Sequence, residues 1–349
     1  MMPQGEYFVE KLLQLGRQVR AAVVRGRQGA GGATGLAGVA KWTTADAIYE
    51  LDAQVEPVIE KFCEEWSKEV PLVLIAEGIG EAGREGKVVF PRGAAEAAAH
   101  VRIIIDPIDG TRGLMYDKRS AWFLAGVAPN RGEATRLKDI FAAVQVELPV
   151  SKQGLTDVFW AVKGKGAKGE REALRGERFE RVGELALRPS TADNINHGFA
   201  SISNFFPGTK VLASKLMEEI ALACVGAADV SRATVFDDQY ISNGGQLYEL
   251  MMGHDRFVAD LRPLFYQLQG LPAGLCVHPY DMAAVLIAQE VGIEITDGWG
   301  NEFDGPMDTE TGLCWAGFAN KKLRERIEPV MKRVLGEWRG EKGTEALRH

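Results

Sequence analysis

A chain of 349 residues, 46% hydrophobic and 26% charged, has the make-up of a globular protein with one large or two medium domains. Its formal net charge of −7 argues against nucleic acid as a main partner, and an anionic substrate would need bound cations or a local basic patch to offset it. No apolar run reaches bilayer length and Met1–Glu10 lacks the basic-then-apolar pattern of a secretory leader, so the expectation is a cytoplasmic protein with no membrane partner.

Phe8, Val9, Leu12, Leu13, Leu15, Val19 and Val23 recur at helical spacing and predict an amphipathic helix over 7–24. Gly29 to Gly38 is glycine-rich and uncharged. A phosphate-cradling loop ends in Gly-Lys-Ser/Thr, whereas Lys41 precedes Trp42, so this stretch reads as a mobile loop over a site. Thr44 or Asp46 caps a second helix with Leu51, Val55, Val58, Ile59 and Phe62 on one face. A strand over 72–76 ends in Glu77-Gly78, and a buried strand over 101–105 stops abruptly at Asp106-Pro107-Ile108-Asp109-Gly110-Thr111.

Runs at 121–128, 140–146 and 157–162 predict an antiparallel meander. The charged 163–180 reads as an exposed hairpin or loop. The polar 189–208 reads as the passage from an N-terminal α+β domain (1–207) to a C-terminal α/β domain (208–335). In the second half, helical runs at 211–225, 245–253, 282–291 and 323–335 alternate with strands at 257–260 and 293–296, and 336–349 reads as a frayed polar tail. Cys63, Cys224, Cys276 and Cys314 form no Cys-x-x-Cys pair, which excludes the common zinc spacings and leaves four buried reduced thiols as the expectation. His100, His197, His254, His278 and His349 show no ligand spacing and read as structural.

Taken singly, Glu77 is an ordinary surface acid, Asp281 an N-cap and Asp109 a turn residue. Asp106 is different, because it directly ends a buried strand. Two acids at the mouth of a sheet are costly without a cation or a proton. With Gly110 as the sixth position of a calcium loop, Ile105 is first and Tyr116 twelfth, which excludes an EF-hand. Pro107 stands where an Asp-x-Asp phosphatase needs its first acid. A Mg²⁺ site survives both tests.

Asp106-Pro107-Ile108-Asp109-Gly110-Thr111 resembles the signature of the inositol monophosphatase family of Mg²⁺-dependent, lithium-sensitive phosphatases. Further matches follow in the family's order: Lys41, Asp46 and Asp52, Ala76-Glu77-Gly78, Lys163 to Ala167, Tyr280-Asp281-Met282-Ala283-Ala284 and Glu290-Val291-Gly292. Asp297, Gly300 and Phe303-Asp304-Gly305 echo its closing strands. The resemblance implies a layered αβαβα fold, an α+β half followed by an α/β half with the site between them.

It also implies roles for residues. Glu77, Asp106 and the Ile108 carbonyl hold a first Mg²⁺; Asp106, Asp109 and Asp281 hold a second; a weaker third ion lies near Glu77. Asp52 and Thr111 form a dyad that takes the proton of the attacking water, while Asp109, Gly110 and Thr111 meet the phosphate and Asp260 the substrate alcohol. The implied activity is hydrolysis of inositol monophosphate or a similar small sugar phosphate by a homodimer. Fructose bisphosphate, nucleoside bisphosphates and histidinol phosphate are the alternative substrates, and a catalytically silent binder of metal or phosphometabolite is the alternative outside enzymes. Gly78 replaces an acid of the family motif and thins the charge near the third ion. Arg112 adds a cation after the threonine, Ser242-Asn243-Gly244 replaces Gly-Ser/Thr-Ala, and 187–235, where selectivity would be set, matches poorly.

Overall fold

Along the central strands apolar side chains alternate between two buried layers, and this alternation sets the architecture. The computed structural model describes residues 5–29, 39–42, 47–80, 86–175, 178–227 and 231–345. Helix α1 (Gly5–Gly29) and helix α2 (Glu50–Ser67) form the first layer, with a ribbon of β1 (Val39–Trp42) and β2 (Ala47–Tyr49) between them in sequence. Phe8, Leu12, Leu15, Val19 and Val23 are all buried, as their spacing predicts. Most of the glycine-rich loop, and the caps expected at Thr44 and Asp46, lie outside the described residues.

An eight-stranded sheet is built from β3 (Leu72–Ala76), β4 (Lys87–Phe90), β5 (Val101–Asp109), β6 (Ala121–Pro129), β7 (Ala142–Leu148), β8 (Leu155–Val162), β9 (Ala167–Arg175) and β10 (Arg178–Glu184), with the short helix α3 (Thr111–Met115) after β5. Its spatial order is β10-β9-β8-β7-β6-β5-β3-β4, and β3 and β5 pair in parallel. Because successive side chains leave a strand on opposite faces, Leu72, Leu74, Ile103 and Ile105 pack with α1 and α2, whereas Val73, Ile75 and Ile104 pack with the second half of the chain. Both faces are covered, which is why these strands read as continuous apolar runs. The 163–180 segment is the β8–β9 turn and part of the β9–β10 hairpin, and it is less exposed than its charge suggests. Glu170 and Glu172 are buried, with Arg17 bonding Glu172 at 2.9 Å and Arg20 beside it.

The second half holds β11 (Gly198–Ile202), α4 (Lys210–Val225), β12 (Val235–Phe236), α5 (Asn243–Met251), β13 (Asp255–Asp260), α6 (Arg262–Gln269), α7 (Val285–Val291), β14 (Glu294–Thr296), β15 (Trp315–Phe318) and α8 (Lys321–Glu345). The strands form a five-stranded sheet in the order β12-β11-β13-β15-β14. Helices α5 and α7 lie against the inner face of the large sheet, α5 also touching β13 and β15, while α4 and α8 pack together on the outer side. The result is an αβαβα stack.

Two expectations need correction. The 189–208 stretch contains a strand, β11, paired in parallel with β13. The expected frayed tail is helical to Glu345, because Met331, Val334, Leu335 and the partly buried Trp338 carry the apolar stripe of α8 past Gly336.

Candidate metal centre

The centre begins with a fault in a strand. In β5, Asp106 is opposite Leu124 and Asp109 opposite Trp122, so three steps along β5 match two along β6. In a regular strand residues three apart point to opposite faces; one extra residue returns both aspartates to the same face. Pro107, which has no N–H to give the ladder, occupies the bulge. The Ile108 N–H turns inward and donates to Asp106 Oδ1 at 2.9 Å.

Gly110 then reverses the chain in a left-handed conformation, φ 95°, and a Cβ there would sit 2.9 Å from Ser242 Cβ. Thr111 opens α3, and its hydroxyl donates to the Ile108 carbonyl at 2.7 Å. The parallel register places Ala76 beside Ile105, so Glu77 emerges next to Asp106.

The second half supplies the rest. Asp281 lies in a 3-10 turn, Pro279–Met282, and accepts the His278 N–H at 2.5 Å. Asp109 meets the start of α5, accepting from Ser242 Oγ at 2.8 Å, from the Asn243 N–H at 3.2 Å and from the Gly244 N–H. Helix α5 is anchored to both sheets: Gln145 of β7 donates to the Gly244 carbonyl at 2.8 Å, and Trp315 of β15 to Asn243 Oδ1 at 3.0 Å.

One carboxylate oxygen from each of Asp106, Asp109 and Asp281 lies within 4.8 Å of the others. Burial drives the Asp106 carboxyl well above the ordinary range, and the charges of Asp109, Asp281 and Glu77 add to the shift. Burial, then Asp109, does the same to Asp281, with Glu77 adding to it and the His278 N–H and Arg262 opposing. Asp109 is pushed up to about 6 by burial, against the pull of its three donors. Such a cluster holds protons or a cation. The donors are all hard oxygens, which suits a hard divalent cation rather than a soft or nitrogen-seeking metal.

No protein-family model matches the chain, and no curated protein matches its sequence. Its likeness to solved structures is extensive. Fructose-1,6-bisphosphatase of Leishmania major superposes with a TM-score of 0.63 at 12% identity, covering 96% of each chain. The extragenic suppressor protein SuhB of Bartonella henselae gives 0.59 at 17%, covering 93% of this chain and 98% of that one. An IMPase of Thermotoga maritima gives 0.58 at 18%, covering 93% and 96%. The chain has the inositol monophosphatase fold.

Within this inositol monophosphatase fold the other expected site residues are placed as follows. Glu77, Ile108, Gly110 and Thr111 line the same pocket as the three aspartates. Asp52 falls on α2, its side chain outside the described set. Asp260, expected to meet the substrate alcohol, does not line the pocket. Its carboxylate is fully buried and accepts from Arg262 Nε at 2.9 and 3.0 Å and Nη2 at 2.7 Å.

Arg262 itself lines the pocket, with Nη1 donating to the Leu275 carbonyl at 3.1 Å. Phe205 and Phe206 join it: the Arg262 guanidinium lies 5.1 Å from the Phe205 centroid and 5.5 Å from that of Phe206. Arg112 stands 5.7 Å from the same Phe206 ring. Arg262, Phe205, Phe206 and His278, the last stacked on Tyr280 at 5.3 Å, were not expected at the site, whereas Arg112 was noted in the sequence. A usable signal was present in Asp260-Leu261-Arg262, opposite charges two residues apart in an apolar stretch, and in an aromatic doublet within the polar 189–208 segment. The four cysteines are free, with Cys63 buried and the other three half-buried.

Proposed function

We propose that the protein is a Mg²⁺-dependent phosphomonoesterase acting on small phosphorylated metabolites. The supporting observation is the buried cluster of Asp106, Asp109 and Asp281, an all-oxygen set whose ionisation needs a cation. With Glu77 and the Ile108 carbonyl these residues would hold two ions, and a weaker third near Glu77 and Gly78. Bound there, the ions would stabilise the charge of phosphoryl transfer and lower the pKa of water. Thr111, whose hydroxyl donates to the Ile108 carbonyl, would form with Asp52 the dyad that takes the proton of the attacking water. Li⁺, another hard cation, is expected to inhibit. The reading is of a cytoplasmic homodimer.

For the alcohol side, inositol monophosphate or a similar sugar phosphate is the first expectation, but one observation favours a phosphate ester with a second anionic group, as in fructose bisphosphate or a nucleoside bisphosphate. The acid that would accept a substrate hydroxyl, Asp260, is bound by Arg262. In its place the pocket wall carries Arg112 and two phenylalanine rings, with Arg262 already paired to Asp260. A guanidinium suits a phosphate or carboxylate, not a neutral polyol.

Phosphate release from a substrate panel, with Mg²⁺, with chelator and with Asp109→Asn, tests both levels. Hydrolysis should vanish with chelator and in the variant, and bisphosphates should exceed inositol monophosphate in kcat/KM. Arg112→Ala should lower that ratio at least about tenfold, the scale of one lost charge-assisted contact. Release that survives chelation would remove the metal mechanism. Absence of release from every ester would favour a silent metal or phosphometabolite binder.

A further inference from the structure

Cys276 and Cys314 take no part in the proposed reaction, yet the chain brings them together. Val277 and Leu313 form an antiparallel bridge, the Leu313 N–H donating to the Val277 carbonyl at 2.7 Å. Continued one step along, antiparallel register would set Cys276 opposite Cys314. The neighbour of a hydrogen-bonded bridge falls in the non-hydrogen-bonded class, whose Cα atoms lie ~4.5 Å apart in a regular ladder, within the ~4.4–6.8 Å span of disulfides.

A second observation fixes the face. Opposed residues share a face, as do residues two apart in one strand, so Gly312 shares that of Cys314. A Cβ built on Gly312 would lie 3.0 Å from Cys276 Sγ. The Cys276 sulfur therefore lies beside Gly312, in room left by the missing side chain. Charge on Cys276 also reaches the Cys314 thiol.

We propose that Cys276 and Cys314 are a modification site, a cross-strand dithiol oxidised reversibly to an intrachain disulfide by a low-molecular-weight disulfide. One cysteine sulfur attacks the small disulfide and expels the first small thiol. The second cysteine then attacks the mixed disulfide, forms the Cys276–Cys314 bond and expels the second small thiol. The two cysteine protons end on the two expelled thiols, and the two electrons reduce the oxidant. Burial pushes the Cys276 thiol up to about 11 and the Cys314 thiol to about 12, so the first attack draws on a small thiolate fraction and proximity acts on the second, ring-closing step.

The placement gives the bond a consequence. Cys276 lines the pocket, and its neighbours carry the Leu275 carbonyl that accepts from Arg262 and the His278 N–H that donates to Asp281. A bridge to Cys314 would tie that segment to the start of β15. The full chain is treated with oxidised glutathione under native conditions and read by intact mass, peptide mapping and thermal unfolding.

The expected result is a loss of about 2 Da with no adduct, a single 276–314 crosslink, reversal by reductant and a higher melting temperature, since the bond closes a loop in the unfolded chain. Cys276→Ser and Cys314→Ser should each abolish the crosslink and the melting shift. A stable glutathione adduct on either cysteine of the native chain, a crosslink to Cys63 or Cys224, or an unchanged mass would overturn the proposal. None of these readouts depends on catalysis, so they stand or fall apart from the phosphatase reading.

Discussion

Asp260 shows how burial decides a residue's role. Its carboxylate is fully buried and Arg262 is 4% exposed, so each charge depends on the other for compensation. Asp260→Asn keeps the shape and removes the charge, leaving the guanidinium buried without its counter-ion. The expected loss of stability is about 3–5 kcal/mol, measurable by urea unfolding. A residue whose main task was to touch a substrate hydroxyl would instead cost less than about 0.5 kcal/mol and raise KM. Arg262→Met added to Asp260→Asn should recover part of the loss, because the orphaned charge is gone. A stable single variant would return Asp260 to the alcohol subsite.

Helix α5 converts its free N-terminal donors into a clamp on Asp109. Ser242 serves twice: its Oγ accepts the Gly245 N–H at 2.8 Å as the N-cap and donates to Asp109 at 2.8 Å. Ser242→Ala should therefore cost about 1 kcal/mol of stability as a lost cap and weaken Mg²⁺ binding about tenfold as a lost orienting contact. Mg²⁺ titration calorimetry beside thermal unfolding separates the two effects. A helix loss with unchanged Mg²⁺ affinity would reduce Ser242 to a cap. At this scale much was legible in sequence, because periodicity is local: the apolar stripe of α1, the β6–β8 meander and the buried run of β5 up to Asp106 follow from spacing alone, although the strand continues to Asp109. Less legible were features that depend on distant partners. The bulge at Pro107 appears only against Leu124 and Trp122, Ser242 gains its second role only when α5 reaches β5, and Arg262 enters the pocket only because Asp260 is withdrawn from it.

The whole molecule closes around the carboxylates, with Asp106, Asp109 and Glu77 coming from the large sheet and Asp281 from the turn before α7. Stability, pH and metal are therefore linked. Without metal, Asp106, Asp109 and Asp281 have native pKa values above the ordinary carboxylate value, so the folded chain keeps protons that the unfolded chain has released. Below about pH 4 both states are protonated and these acids cost nothing; above it their contribution falls as pH rises. For Asp109 the window runs to about 6, and Asp106 and Asp281, both raised well above the ordinary value, act in the same direction. A bound divalent cation favours the ionised forms and reverses the trend, and its uptake expels protons. In chelator the melting temperature should fall between about pH 4 and pH 6, after allowing for the rest of the chain by the same scan on Asp106→Asn. Saturating Mg²⁺ should cancel that fall, raise the melting temperature more at the higher pH, and release protons in calorimetry near neutrality. Parallel melting curves with and without Mg²⁺ would mean that the cluster is held by protons alone, and the two halves of the molecule would then meet at a site with no metal to join them.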